Sequence, residues 1–241
     1  MNGKVTLEAR YRAVMERIER AAVAAGRDAG SVRLLAVGKT FPAQELRALA
    51  ALGQREFGEN YVQEAEEKIA ALAGSGLVWH FIGPIQSNKT RRIAESFDWV
   101  QSVQDERIAR RLSAQRPTGL APLNVCLQVN LSGEATKSGC RPDDVLPLAL
   151  AVEELPGIAL RGLMSIPEPT DDAGLQARRF GELRRLFDQV RQRLGQRAEA
   201  TGAAFDTLSM GMSGDLEAAV AEGATLVRVG TALFGERPRP T

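Results

Sequence analysis

Apolar positions along the chain recur at two spacings. From Leu7 to Ala25, the residues Tyr11, Val14, Met15, Ile18 and Ala22 fall on one helical face among charged neighbours, and Gly26 stands where a helix stop belongs. Beyond it, short apolar runs of strand character alternate with helical periodicity. The predicted strands are Val32–Val37, Arg55–Gly58, Val78–Ile82, Trp99–Val103, Leu123–Leu131, Ile158–Ile166, Phe205–Met210 and Thr225–Val229; the second is short and half polar. The predicted helices between them are Ala43–Leu52, Tyr61–Leu72, Lys89–Ser96, Asp105–Ala114, Asp143–Leu155, Gln176–Leu194 and Asp215–Glu222. Strands that alternate with helices pair in parallel through right-handed crossovers. Eight such units predict an α/β fold, a single-domain (β/α)8 barrel of the TIM type with an extra N-terminal helix. The competitor is an open doubly wound sheet, whose dinucleotide variant carries G-x-G-x-x-G after its first strand. Here that strand runs into Val37-Gly38-Lys39-Thr40-Phe41-Pro42, without the fingerprint. The barrel is expected over residues 1–235, leaving no room for a second domain, with residues 236–241 as a disordered tail.

Composition narrows the chemistry. With 31 basic and 30 acidic residues in 241, the net charge is +1, which gives no footprint for nucleic acid or an acidic membrane. The chain has one histidine, His80, and two cysteines, Cys126 and Cys140, too few and too scattered for a structural zinc site, so no metal is expected. Two cysteines make no disulfide framework, no run reaches transmembrane length, and Met1 to Arg10 lacks a signal-peptide apolar stretch. A cytoplasmic setting is therefore expected. Lysine is scarce: Lys4, Lys39, Lys68, Lys89 and Lys137 are the five among the 31 basic residues. A retained lysine in such a chain suggests a need for an amine.

Barrel enzymes build their sites at the C-terminal ends of the strands. Lys39 follows the first strand, Asn60 the second, Asn130 the fifth and Ser165 the sixth; Ser209-Met210-Gly211-Met212-Ser213-Gly214-Asp215 closes the seventh, and Arg228-Val229-Gly230-Thr231 the eighth. The loops after strands seven and eight are where barrels bind phosphate, helped by a helix N-terminus. Ser213 and Thr231 offer hydroxyls, and Gly230 permits close approach; the alternative for Ser213 is a plain helix cap. Lys39 ends an apolar strand, where desolvation lowers an amine's pKa and makes it nucleophilic toward an aldehyde. A surface lysine snorkelling from a strand end is the alternative. An amine beside a phosphate cradle fits pyridoxal 5′-phosphate (PLP). Arg228 would then face the pyridine nitrogen and keep it unprotonated, since arginine stays charged; a rim salt bridge is its competing role.

With these pieces in place, the sequence resembles the pyridoxal-phosphate homeostasis protein family, single-domain relatives of the alanine racemase N-terminal barrel. The matching strings include Ala36-Val37-Gly38-Lys39-Thr40, Phe57-Gly58-Glu59-Asn60-Tyr61, Trp79-His80-Phe81-Ile82-Gly83-Pro84-Ile85-Gln86-Ser87-Asn88-Lys89, Lys137-Ser138-Gly139, Ser209-Met210-Gly211-Met212-Ser213 and Arg228-Val229-Gly230-Thr231. They span most of the chain in order. Gly38 stands where the family commonly has serine. The resemblance implies PLP as an internal aldimine on Lys39, phosphate contacts from Ser213, Gly230 and Thr231, ring contacts from Asn60 and Met210, and Arg228 at the pyridine nitrogen. It implies no catalytic residues, a carrier or buffer role affecting amino-acid and keto-acid balance, a monomer, and PLP-dependent apo-enzymes as partners.

The alternative is a PLP enzyme such as a weak amino-acid racemase. A racemase needs an acid/base group on each face of the cofactor, and the tyrosines here are Tyr11 and Tyr61. A third class, a sugar-phosphate aldolase using Lys39, fits the phosphate loops but not the remaining strings. His80 reads as a satisfied core or rim histidine. Lys89, at a helix start, hints at an anion or partner nearby. Lys137, in a loop over the expected mouth, is assigned as a second amine that receives the aldehyde when PLP moves in or out.

Overall fold

The computed structural model describes residues 5–132, 138–201 and 204–235. Eight parallel strands close into a barrel in sequence order: β1 Arg33–Val37, β2 Glu56–Glu59, β3 Val78–Phe81, β4 Trp99–Val103, β5 Leu123–Gln128, β6 Ile158–Met164, β7 Thr207–Ser209 and β8 Leu226–Val229. Helix α1, Leu7–Ala24, precedes β1. The crossover helices are α2 Ala43–Ala51, α3 Val62–Ala71, α4 Thr90–Ser96, α5 Glu106–Gln115, α6 Val145–Glu153, α7 Ala173–Thr201 and α8 Leu216–Ala221, and α9 Thr231–Phe234 follows β8. The single-domain (β/α)8 barrel with its extra N-terminal helix is as the periodicity implies. Lys137 and the tail 236–241 lie outside the described residues.

Several element bounds differ from the sequence reading: β6 stops at Met164 rather than Ile166, and β7 spans Thr207–Ser209 rather than Phe205–Met210. β5 ends at Gln128 rather than Leu131, because the next residues turn to meet Cys140: the Cys140 N–H donates to Gln128 O and the Asn130 N–H to Cys140 O, at 2.9 Å each. Helix α7 starts at Ala173 and reaches Thr201, longer than Gln176–Leu194 at both ends. The last strand is followed by a helix after all, the short α9.

Two cores follow from the period-two alternation of the strands. One residue set points outward and packs under the helices, as Leu34, Ala36, Phe57, Phe81, Leu208 and Val229 do. The other points into the barrel. Its apolar members form two small clusters, Leu35, Val37, Ile82 and Leu226, and Trp99, Cys126 and Met164. The remaining inward positions are polar: His80, Gln101, Ser209 and Arg228 are all buried. Helix α1 lies across the seam between β8 and β1, with Val14, Ile18 and Ala22 in the outer core.

The wall is tightest between β6 and β7. Gly162 pairs with Thr207, and a Cβ at Gly162 would sit 1.6 Å from the Thr207 carbonyl oxygen. Gly162→Ala should therefore cost about 3 kcal/mol or more, since the strands must part to admit a methyl group. A urea-unfolding midpoint close to that of the wild type would refute this account of the wall.

Candidate functional site

A cavity of about 310 Å³ opens at the C-terminal end of the barrel. Lys39, Asn60, Ser213, Arg228, Gly230 and Thr231 all line it. Strand parity puts them there. Leu35 and Val37 face inward on β1, so Lys39, two residues on, continues that row. Leu226, Arg228 and Gly230 make the equivalent row on β8. β1 pairs with β8 in the register Leu35↔Arg228 and Ala36↔Val229, so the two rows lie side by side. Val37, Ile82 and Ile166 supply apolar wall.

One end of the cavity joins two loops. Met212, Ser213 and Gly214 come from the β7–α8 connection, and Gly230 and Thr231 from the start of α9. Helix α1 braces both. Arg17 Nη1 donates to Ser213 O at 2.8 Å while its guanidinium also pairs with Glu217 at 2.5 Å; Arg10 Nε donates to Leu233 O at 2.6 Å. Asn60 Oδ1 is buried without a hydrogen-bond partner, which leaves polar capacity at the cavity; Ser165 Oγ is also buried without one, outside the lining.

Arg228 lies at the floor. Its side chain is held from two sides: Nη1 donates to Ser209 Oγ and Nη2 to Ser165 O, each at 2.7 Å. Burial pulls its pKa down to about 10, which leaves the guanidinium charged at neutral pH. The Ser209 hydroxyl, having accepted from Arg228, donates to Gln101 Oε1 at 2.6 Å. That fixes the amide orientation, so Gln101 Nε2 donates to His80 Nδ1 at 2.9 Å. His80 stacks on Trp99 with ring centroids 5.1 Å apart. Its Nε2 lies 3.2 Å from Glu56 Oε2, without the alignment of a full hydrogen bond, and Arg33 Nη1 pairs with Glu56 at 3.0 Å. Burial holds His80 below the ordinary histidine range despite Glu56. Burial raises Glu56, but the contact with His80 and the charge of Arg33 outweigh it and hold the carboxyl low. A chain of polar contacts, its hydrogen bonds directed one way, thus descends from the mouth through the barrel.

The arrangement brings a primary amine, two loops that carry the Ser213 and Thr231 hydroxyls, and a fixed buried cation around one cavity. The family described as the alanine racemase N-terminal domain matches residues 11–238. A pyridoxal phosphate homeostasis protein of Pseudomonas aeruginosa is 60% identical over 224 residues, 93% of each chain. The chain belongs to the pyridoxal phosphate homeostasis protein family. The relative from Escherichia coli K12 is 47% identical over 93% of this chain and 94% of its own. The solved structure of PipY from Synechococcus elongatus PCC7942 with PLP bound superposes at a TM-score of 0.80 and is 35% identical, covering 95% of this chain and all of that one.

For this member of the pyridoxal phosphate homeostasis protein family, Met210 departs from the expected ring contact. Ser209 points inward to Arg228, so Met210 is turned outward into the core beneath the helices and does not line the cavity. Met212 lines the cavity instead. His80 is neither at the rim nor in the cavity but inside the barrel. Lys89 stands at the N-terminal end of α4 outside the cavity lining; Glu66, the carboxylate on which its charge acts weakly, pairs with Arg92. Sequence reading did not single out Arg17 or Gln101. Gln101 carried a signal in its place on an inward-facing strand position; Arg17 had none, because it contacts the loop through tertiary packing alone.

His80 makes the pH dependence legible, since it is the one histidine in the chain. Its folded pKa lies below the ordinary 6.5, so the unfolded chain binds the proton more tightly. The contribution of neutral His80 is fully present above about pH 6.5 and is lost as the pH falls from there through the folded value. Between pH 7.5 and 5.5 the stability of the wild type relative to His80→Gln should therefore decline as the pH falls, measured by urea unfolding; Glu59, raised to about 7 by burial, adds the opposite slope to both proteins. Equal slopes would remove His80 as the cause.

Proposed function

We propose that the protein binds pyridoxal 5′-phosphate covalently through Lys39 and acts in PLP homeostasis as a carrier or buffer. The observation that carries this reading is the meeting of Lys39, Arg228, Ser213 and Thr231 around one cavity. These residues fit the cofactor. PLP carries a phosphate, a pyridine ring and an aldehyde, and the cavity matches them with an anion cradle, a buried guanidinium and an amine. The unpartnered Asn60 Oδ1 leaves polar capacity for the ring substituents. Its relationship to PipY, solved with PLP bound, supports the same assignment.

Bound there, PLP supplies an aldehyde that condenses with a neutral primary amine and releases one water. Lys39 presents that amine at a mouth walled by Val37, Ile82 and Ile166. Ser213 and Thr231 hold the phosphate, and Gly230, lacking a side chain, lets it approach the backbone. Arg228, donor-only and charged, meets the pyridine nitrogen and keeps it unprotonated. An unprotonated ring draws electrons weakly, which suits holding over turnover.

The racemase alternative requires a second proton donor across the cofactor from the lysine. Tyr11 belongs to α1, and Tyr61 is 58% exposed and outside the cavity lining, which favours the carrier reading. The carrier works as a monomer in the cytoplasm and passes PLP to PLP-dependent apo-enzymes. No described helix is long and apolar enough to cross a membrane. The near-neutral charge gives nucleic acid no footprint.

The test is the visible spectrum of wild type and Lys39→Ala after incubation with PLP and desalting. The wild type should retain an absorbance band that the variant loses. A wild type that keeps no band would overturn the PLP reading, and a band kept equally by both would overturn Lys39 as its attachment point.

A further inference from the structure

Among the described lysines, Lys68 alone is buried. It projects from α3, and its ammonium donates to three oxygens: Gly38 O at 2.8 Å, Glu59 Oε1 at 2.8 Å and Glu64 Oε1 at 2.6 Å. The same Glu64 oxygen accepts the Thr40 N–H at 2.6 Å. Lys39 stands between these two backbone contacts. Gly38 before it is tied to Lys68 directly, and Thr40 after it through Glu64. Thr40 has φ of 69°, and among the described residues it is the one non-glycine in the left-handed region. A threonine keeps such a conformation only when its surroundings impose it.

The third arm reaches the neighbouring strand, for Glu59 directly precedes Asn60, a second cavity residue. Three acceptors use all three ammonium hydrogens. A guanidinium is a planar fork and cannot converge on three points around one nitrogen. A chain that places arginine at 26 of its 31 basic positions therefore has a geometric reason for lysine here. Gly38 belongs to the same fit: a Cβ there would lie 2.8 Å from Glu59 Oε1 and 3.0 Å from Leu46. Burial pushes the Glu59 carboxyl up to about 7 even with the Lys68 ammonium beside it, with Glu64 and Lys39 the other charges acting on it. Glu59 and the Lys68 ammonium are buried, while Glu64 and Thr40 reach the surface.

We propose that Lys68 is a positioning residue for Lys39: through Gly38, and through Glu64 to Thr40, it holds the strained turn that aims the Lys39 amine into the cavity. This rests on the PLP reading of the site. Lys68 touches no ligand and acts by placing the amine, so its loss should slow covalent attachment while sparing contacts made by the phosphate cradle and Arg228.

The experiment compares wild type, Lys68→Arg and Glu64→Gln, all checked for a folded melting transition. Two quantities are read at several pH values. One is the rate of PLP attachment to Lys39, trapped by borohydride and counted by mass spectrometry. The other is the Kd for a PLP analogue with an alcohol in place of the aldehyde, which needs the cradle and Arg228 but not the amine. Attachment should slow about tenfold or more in Lys68→Arg, because a reacting group misplaced by about 1 Å loses up to about a hundredfold. Glu64→Gln keeps an acceptor for Thr40 but no charge for Lys68, so it should show a smaller slowing. The analogue should bind all three alike. Unchanged attachment in both variants would overturn the proposal. So would attachment and analogue affinity falling together, which marks a general structural role. A wild type that takes up neither ligand would instead sink the PLP reading itself.

Discussion

The site depends on the pairing of the last strand with the first. Strand β8 lies against β1 in the register Leu35↔Arg228, and Lys39, Arg228, Gly230 and Thr231 take their places from that seam. Slip the pairing by one residue and all inward side chains of one strand turn outward. Lys39 would then leave the mouth, or Arg228 the floor. Helix α1 secures the seam from outside through Arg10 and Arg17, which contact the segments following β8 and β7. The extra helix is thus part of the binding apparatus rather than an appendage to the barrel.

Inside the barrel, stability is traded against order. A barrel interior filled with branched apolar side chains needs no hydrogen bonds. This one holds Arg228, Ser209, Gln101, His80 and Glu56 in succession, each with a polar neighbour. Every member has a fixed role as donor or acceptor, because Ser209 has one proton and Gln101 one amide orientation consistent with it. The chain therefore holds Arg228 in one rotamer beneath the cavity, where a flexible arginine would blur the site. Removing one link leaves its neighbours unsatisfied in a dry interior, at a cost of about 1–3 kcal/mol.

What the sequence disclosed follows the same lines. Alternation along β1 and β8 is legible residue by residue, so the sequence alone places Lys39, Arg228 and Gly230 at one mouth. β2 was the weakest strand in the sequence because half of it is polar, and the structure explains why. Glu56 serves the interior chain and Glu59 the Lys68 clamp, so neither is a surface residue. Met210 failed for want of parity: one step past Ser209 reverses the face, and string similarity carries no facing. Lys68 shows in the sequence only as a charge one turn from Glu64 on α3, which is one of its partners. The other two, Gly38 and Glu59, come from other segments, and pattern within one helix does not report them. Arg17 was illegible for the same reason.

The seam also ties the site to the closure of the fold. Lys39 follows the first strand and Arg228 lies on the last, and they line one cavity only when β8 pairs with β1. A ligand that bridges the two strands therefore binds the closed barrel and not an opened one. It stabilises that closed form by mass action, in proportion to the logarithm of its free concentration.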